Sequence, residues 1–176
     1  MQELVKGPGA VLAPEEGDSY WQPGPHFGHM TIKVSPSTHP SNMFSMGTQI
    51  LPAGCHIRSH GHARNDEILF IHAGSGRAVI DGDEHGLETG STVVLGRFVE
   101  HAIYNDGPGD MEIVWFFTPP GLEHVVEGAG KPRRPGEPPP EHLERPADIA
   151  RILDKAGYAT AEQIRASVKP GPRAAE

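Results

Sequence analysis

From position 30 to position 118 the chain alternates short apolar runs with turn-forming residues. A β-branched run at 30–34 predicts a strand, and 43–51 predicts a second, closed by Pro52-Ala53-Gly54. Glu67-Ile68-Leu69-Phe70-Ile71-His72 is apolar and β-prone, and Ala73-Gly74-Ser75-Gly76 turns it. Arg77-Ala78-Val79-Ile80 runs into Asp81-Gly82-Asp83, a hairpin signal because Asp-Gly tolerates the positive φ of a tight turn. Residues 91–95 and 102–104 predict two more strands, the latter closed by Asn105-Asp106-Gly107-Pro108-Gly109. The longest apolar strand is expected at 111–118, ending at Pro119-Pro120-Gly121. Strands punctuated by turns every ~8–12 residues, with no helical period between them, predict an all-β sandwich or barrel.

The pattern changes on either side of this block. Residues 1–18 read as an irregular lead-in, with turn chemistry at Gly7-Pro8-Gly9 and at Pro14-Glu15-Glu16-Gly17-Asp18. After Gly121 a short helix is expected at 122–126, then an extended strap through Pro138-Pro139-Pro140. Ile149, Ile152, Leu153 and Ala156 fall on one face of an amphipathic helix that Gly157 stops. Thr160-Ala161-Glu162-Gln163 has the form of a capping box for a further short helix. The expected division is therefore lead-in at 1–18, barrel at 19–121, and Pro-rich strap with helical tail at 122–176. The tail helices are expected to pack on the barrel or on a partner subunit.

Composition narrows the classes of function. With 15 Lys and Arg against 23 Asp and Glu, the net charge of −8 argues against a nucleic-acid binder. No apolar run approaches the ~18 residues of a membrane span, and the N-terminus lacks the pattern of a signal peptide. Cys55 is the single cysteine, so no internal disulfide framework exists, and a cytoplasmic setting is expected. Eleven histidines are an excess that points to metal.

The informative stretch runs from Gly54 to Glu67. His60 and His62 are two apart, and on a strand such residues point to the same face. Glu67 opens the next strand after a short turn and can meet them from there. His101, just before a later strand, supplies a third imidazole. Three neutral imidazoles and one carboxylate suit Zn, Fe, Mn, Co, Ni or Cu. His56 and Arg58 share the strand parity of His60, so they are expected to point inward above the metal, where Arg58 would hold a substrate carboxylate or phenolate. The alternative for Arg58 is a strand end in solvent. Tyr104 has the opposite parity to His101 and is expected in core packing, as are Met43 and Met46. His72 and His85 are expected at the surface, and His26, His29, His39, His124 and His142 in loops.

This sequence resembles the cupins. Gly54, five residues, His60-x-His62, four residues, Glu67, six residues and Gly74 match the first cupin motif in full. Gly90, His101 and Asn105 match the second, with Gly96-Arg97-Phe98 where the family usually has Pro-x-Gly. The resemblance implies a jelly-roll (double-stranded β-helix) barrel with His60, His62, Glu67 and His101 as metal ligands at its mouth. Phe117-Thr118-Pro119-Pro120-Gly121-Leu122-Glu123 is also similar to single-domain cupins related to quercetin dioxygenases. That similarity implies a dioxygenase that breaks a C–C bond in an aromatic, phenolic or enolic substrate. Iron is the first expectation for the ion, with Mn, Ni, Co, Zn and Cu compatible.

Glu67 is expected to be a fixed ligand or to swing off as a general base, with Arg58 as the second catalytic candidate. Redox-neutral chemistry at the same site (lyase, isomerase, decarboxylase or cyclase) and a non-catalytic small-molecule-binding module are the competing readings. The expected partners are a small-molecule substrate, O2 if the reaction is oxidative, and a second copy of the chain in a homodimer. The N-terminal strands are expected to cover the barrel's exposed sheet edges by pairing with the second subunit.

Overall fold

The computed structural model describes residues 9–38, 43–167 and 169. The first eight residues of the lead-in, His39 in the loop before the third strand, and the end of the tail lie outside them. In chain order the barrel strands are β1 Asp18–Trp21, β2 His29–Val34, β3 Ser45–Leu51, β4 His56–His62, β5 Asp66–Ala73 and β6 Ser75–Ile80. They continue as β7 Asp83–Glu88, β8 Thr92–Leu95, β9 His101–Tyr104 and β10 Met111–Thr118. Beyond them come α1 Leu122–Ala129, β11 Lys131–Pro132, α2 Ile149–Lys155, β12 Tyr158–Thr160 and α3 Ala161–Ser167.

The strands form two antiparallel sheets, ordered β11-β1-β2-β3-β10-β5-β8 and β12-β4-β9-β6-β7. Their inner faces enclose the core, giving the expected jelly-roll barrel. Burial alternates along β3, β5 and β10, because successive side chains of a strand point to opposite faces and only one face meets the core. Trp115 and Phe117 are fully buried, and Phe116 between them turns outward to stack on Phe44 with ring centroids 5.0 Å apart. Gly47 lets the Trp115 ring lie against β3: a Cβ there would stand 2.3 Å from that ring. The packing expected of Met43 is not found; the residue is 68% exposed.

The tail is built into the barrel. Leu122 and Val126 of α1 belong to the core. The partly buried Ile149, Ile152 and Leu153 share the inner side of α2, and Ala156 after it is buried. Gly157 ends this helix with φ +81°. The guanidinium of Arg64 donates to the carbonyls of Asp154 and Lys155 at 2.6 and 3.3 Å, tying the end of this helix to the turn after β4. The capping box closes as its residues require, Thr160 N donating to Gln163 Oε1 at 2.8 Å and Gln163 N to Thr160 Oγ1 at 3.2 Å. Both strand edges that matter for the tail are covered within the chain, β1 by β11 and β4 by β12. β1 is therefore paired on both sides within the chain, with β11 and with β2.

Candidate metal centre

Two sheets bring four ligands together. His60 and His62 lie on β4, His101 on the neighbouring β9, and Glu67 on β5 of the opposite sheet. His60 and His101 are register partners across the β4–β9 pair. One ligand atom from each of the four residues lies within 4.8 Å of every other. His62, Glu67 and His101 are buried, at 2%, 6% and 1% exposure.

Hydrogen bonds behind the ligands fix their tautomers. His60 Nδ1 lies 2.7 Å from the carbonyl of Arg58, and His101 Nδ1 lies 2.9 Å from that of Val99. A carbonyl only accepts, so each Nδ1 carries the proton and each Nε2 is left with its lone pair. Glu67 Oε2 lies 3.1 Å from both His62 Nε2 and His101 Nε2. A lone pair on His101 Nε2 facing a carboxylate oxygen at that distance needs a positive charge between them, a proton or a metal ion. Adjacent ligand atoms of an octahedral ion with bonds of about 2.1 Å lie about 3.0 Å apart. The spacing thus fits a shared ion, and His62 Nδ1 and His101 Nε2 are buried without a hydrogen-bond partner.

Charge in the cluster is set by burial and by Glu67. Burial pushes His60 well below the usual imidazole range, and the neighbouring His101 and His62 push it further. Burial alone would lower His101 and raise Glu67, but the close approach of Glu67 to His101 and His62 wins, raising His101 and holding Glu67 far below the usual carboxylate range. The set is therefore an anionic oxygen with imidazole nitrogens, suited to a divalent first-row ion.

Arg58 is placed at the rim of the same site, and not by simple alternation. Ile57 pairs with Ile103 and His60 with His101, so β4 spends one residue more than β9 in a bulge there. The bulge breaks the parity that would have put His56 inward. His56 instead stacks on Tyr104, with centroids 5.4 Å apart, and the Arg77 guanidinium also lies over the Tyr104 ring at 4.0 Å. Tyr104 does face away from His101, but toward this outer stack and not into the core. Arg58, on the bulge, is exposed and still lines the cavity.

The cavity holds about 380 Å3 and has His60, Glu67 and His101 on its wall. Barrel side chains such as Leu69 and Ile103 form its floor, and the tail forms its cover. Three residues that sequence reasoning left aside belong to it. Tyr158 of β12 pairs with His62 in register and stacks flat on the His60 ring, 4.8 Å between centroids at 8°. His26, assigned to a loop, and Arg145, in the strap, also line the cavity. None of the three has a spacing that links it to the motif. The one available signal was the compact order Gly157-Tyr158 before a capping box, which leaves room for a short strand. Gly61, between the two ligand histidines, admits the tail: a Cβ there would stand 2.7 Å from Ile164 Cδ1 and 2.8 Å from the Val99 carbonyl oxygen.

Comparison with known proteins agrees with this geometry. The cupin domain family model matches residues 47–117, the segment that carries all four ligands. Protein SchB of Streptomyces halstedii is 26% identical over 102 residues, covering 56% of this chain and 74% of that protein. A crystal structure described as a predicted oxalate decarboxylase from Thermotoga maritima aligns with a TM-score of 0.56 at 20% identity, covering 62% of this chain and 98% of that one. That likeness is one of fold. The chain carries a cupin domain, and its cluster of three histidines and one glutamate is compatible with a metal ion.

Proposed function

We propose that this protein is a metal-dependent enzyme acting on a small organic substrate with an enol or phenol oxygen. Its reaction, on the resemblance to the quercetin dioxygenase group, is oxygen-dependent cleavage of a C–C bond. The observation that supports this reading is the convergence of four ligand atoms within 4.8 Å on the wall of a covered cavity. His60, His62, Glu67 and His101 would hold a divalent ion, which when bound would supply Lewis acidity toward the substrate hydroxyl and, if redox-active, the electron transfer that oxygen chemistry requires.

The protein's own groups do the rest. His60 and His101 offer fixed Nε2 lone pairs because their Nδ1 protons are tied to carbonyls. Glu67 offsets the charge of the ion and is the assigned base for the substrate hydroxyl proton. Arg58 at the rim is assigned to hold an anionic group of the substrate. Leu122, Leu153 and Tyr158 line the cavity with apolar and aromatic surface against which the body of the substrate would pack.

The test is oxygen uptake on a panel of enolic and phenolic compounds by protein carrying its native metal. Uptake that His60→Ala abolishes together with metal content supports the proposal. Stoichiometric zinc, with no oxygen uptake on any member of the panel, overturns the oxidative step.

A further inference from the structure

Two guanidinium groups line the cavity without an acidic partner among the described residues. Arg58 stands on the β4 bulge, and Arg145 comes from the strap before α2. The Nε of Arg145 is buried and makes no hydrogen bond. The carboxylates on the cavity wall are Glu67 and Asp154; Glu67 is engaged by His62 and His101. Neither forms an ion pair with Arg58 or Arg145 among the described residues. Burial lowers the pKa of Arg145, and the charge of Arg58 lowers it further. His26 feels the same pair: burial, then Arg145, Arg58 and His56, bring it down to about 4. At neutral pH His26 is therefore an uncharged hydrogen-bonding group beside two cations.

Like charges gathered in a half-enclosed space, with a buried N–H left open, are costly unless a ligand completes them. Guanidinium matches a carboxylate with paired N–H donors. Much of the remaining wall is apolar, from Met30, Ile57, Leu69, Val125 and Ile149. We propose that the cavity takes its substrate as an organic acid, with the carboxylate held by Arg58 and Arg145 and an apolar body packed against the barrel and tail. Arg145, supplied by the strap, then determines specificity for acids over their neutral analogues. This deepens the proposed function and rests on the cavity being the substrate site.

The test compares 4-hydroxyphenylacetate with 4-hydroxyphenylacetamide, which share shape and differ in charge. Binding of each is measured by calorimetry to metal-free and to metal-loaded protein, for wild type, Arg145→Gln, Arg145→Lys and Arg58→Gln. The expected result is that the acid binds at least about tenfold more tightly than the amide in both forms. Arg145→Gln and Arg58→Gln then remove most of that preference while leaving the amide unchanged, and Arg145→Lys keeps part of it. Equal affinity for acid and amide, binding of neither, or an equal loss for both in Arg145→Gln and Arg145→Lys overturns the proposal. Metal uptake by the same samples separates the two readings. A chain that takes up no metal but prefers the acid contradicts only the metal enzyme. A fully loaded chain without the preference contradicts only the acid site.

Discussion

Tyr158 lies flat on His60, and the backbone beside it pairs with the backbone of His62. A strand of three residues from the tail thus braces both histidines of the first motif. The same ring meets His62 edge-on at 4.6 Å, so it touches two ligands at once. The tail is in this way part of the wall of the candidate metal centre.

That contact sets the behaviour of Tyr158 variants. Burial, and then the charge of Glu67, raise the Tyr158 hydroxyl well above its ordinary value, so it stays protonated and the ring acts by packing. Tyr158→Phe should keep both stability and metal content. Tyr158→Ala should cost about 2–4 kcal/mol by leaving a ring-sized void, and should weaken metal retention. Thermal melts and metal analysis of the two variants check this; a Tyr158→Phe that loses metal would contradict it.

Gly61→Ala tests the seating of the tail on its own. The added methyl meets Ile164 of α3 and the Val99 carbonyl, and only the former can move. The expected cost is about 1–3 kcal/mol. Hydrogen exchange should show faster opening at 158–167 while β10 stays protected. Uniform loss of protection through the barrel would mean that the methyl disrupts β4 and β9 instead.

His26 predicts a pH dependence of stability. Its folded pKa is about 4, because burial, Arg145, Arg58 and His56 oppose its proton. The unfolded chain binds that proton near pH 6.5 and the folded chain does not, so between these values stability falls as pH falls, by at most about 1.4 kcal/mol per unit for one proton. His26→Gln should remove this part. Denaturant melts of wild type and variant should differ increasingly from pH 6.5 down to 4, the wild type losing more. Parallel curves across that window would contradict the assignment.

Phe98 stands where cupins usually carry glycine, and it holds φ +64° while its N–H bonds the His62 carbonyl at 2.8 Å. A left-handed conformation costs an L residue ~1–2 kcal/mol, partly recovered because glycine orders more chain entropy. Phe98→Gly should therefore raise stability by up to about 1 kcal/mol with metal content unchanged. A clear drop in melting temperature would show that the ring packs more than its 37% exposure suggests.

The clustering of His60, His62 and Glu67 was legible because strand period places the two histidines together, and a short turn returns Glu67 to them. The bulge at Arg58 and Ser59 was not legible, since one extra residue leaves no mark in polarity, and parity therefore misplaced His56. Tyr158 and Arg145 were hidden because a three-residue strand and a Pro-rich strap have no period to read. Their positions depend on α1, α2 and Arg64 docking the tail, which only tertiary packing decides.

The central claim is that His60, His62, Glu67 and His101 hold one divalent ion. The measurement is the metal content, by plasma mass spectrometry, of protein purified without a His-tag or added metal, together with His101→Ala. The expected result is close to one first-row ion per wild-type chain and almost none in the variant. Wild-type protein that contains no metal and takes up none on titration would contradict the account.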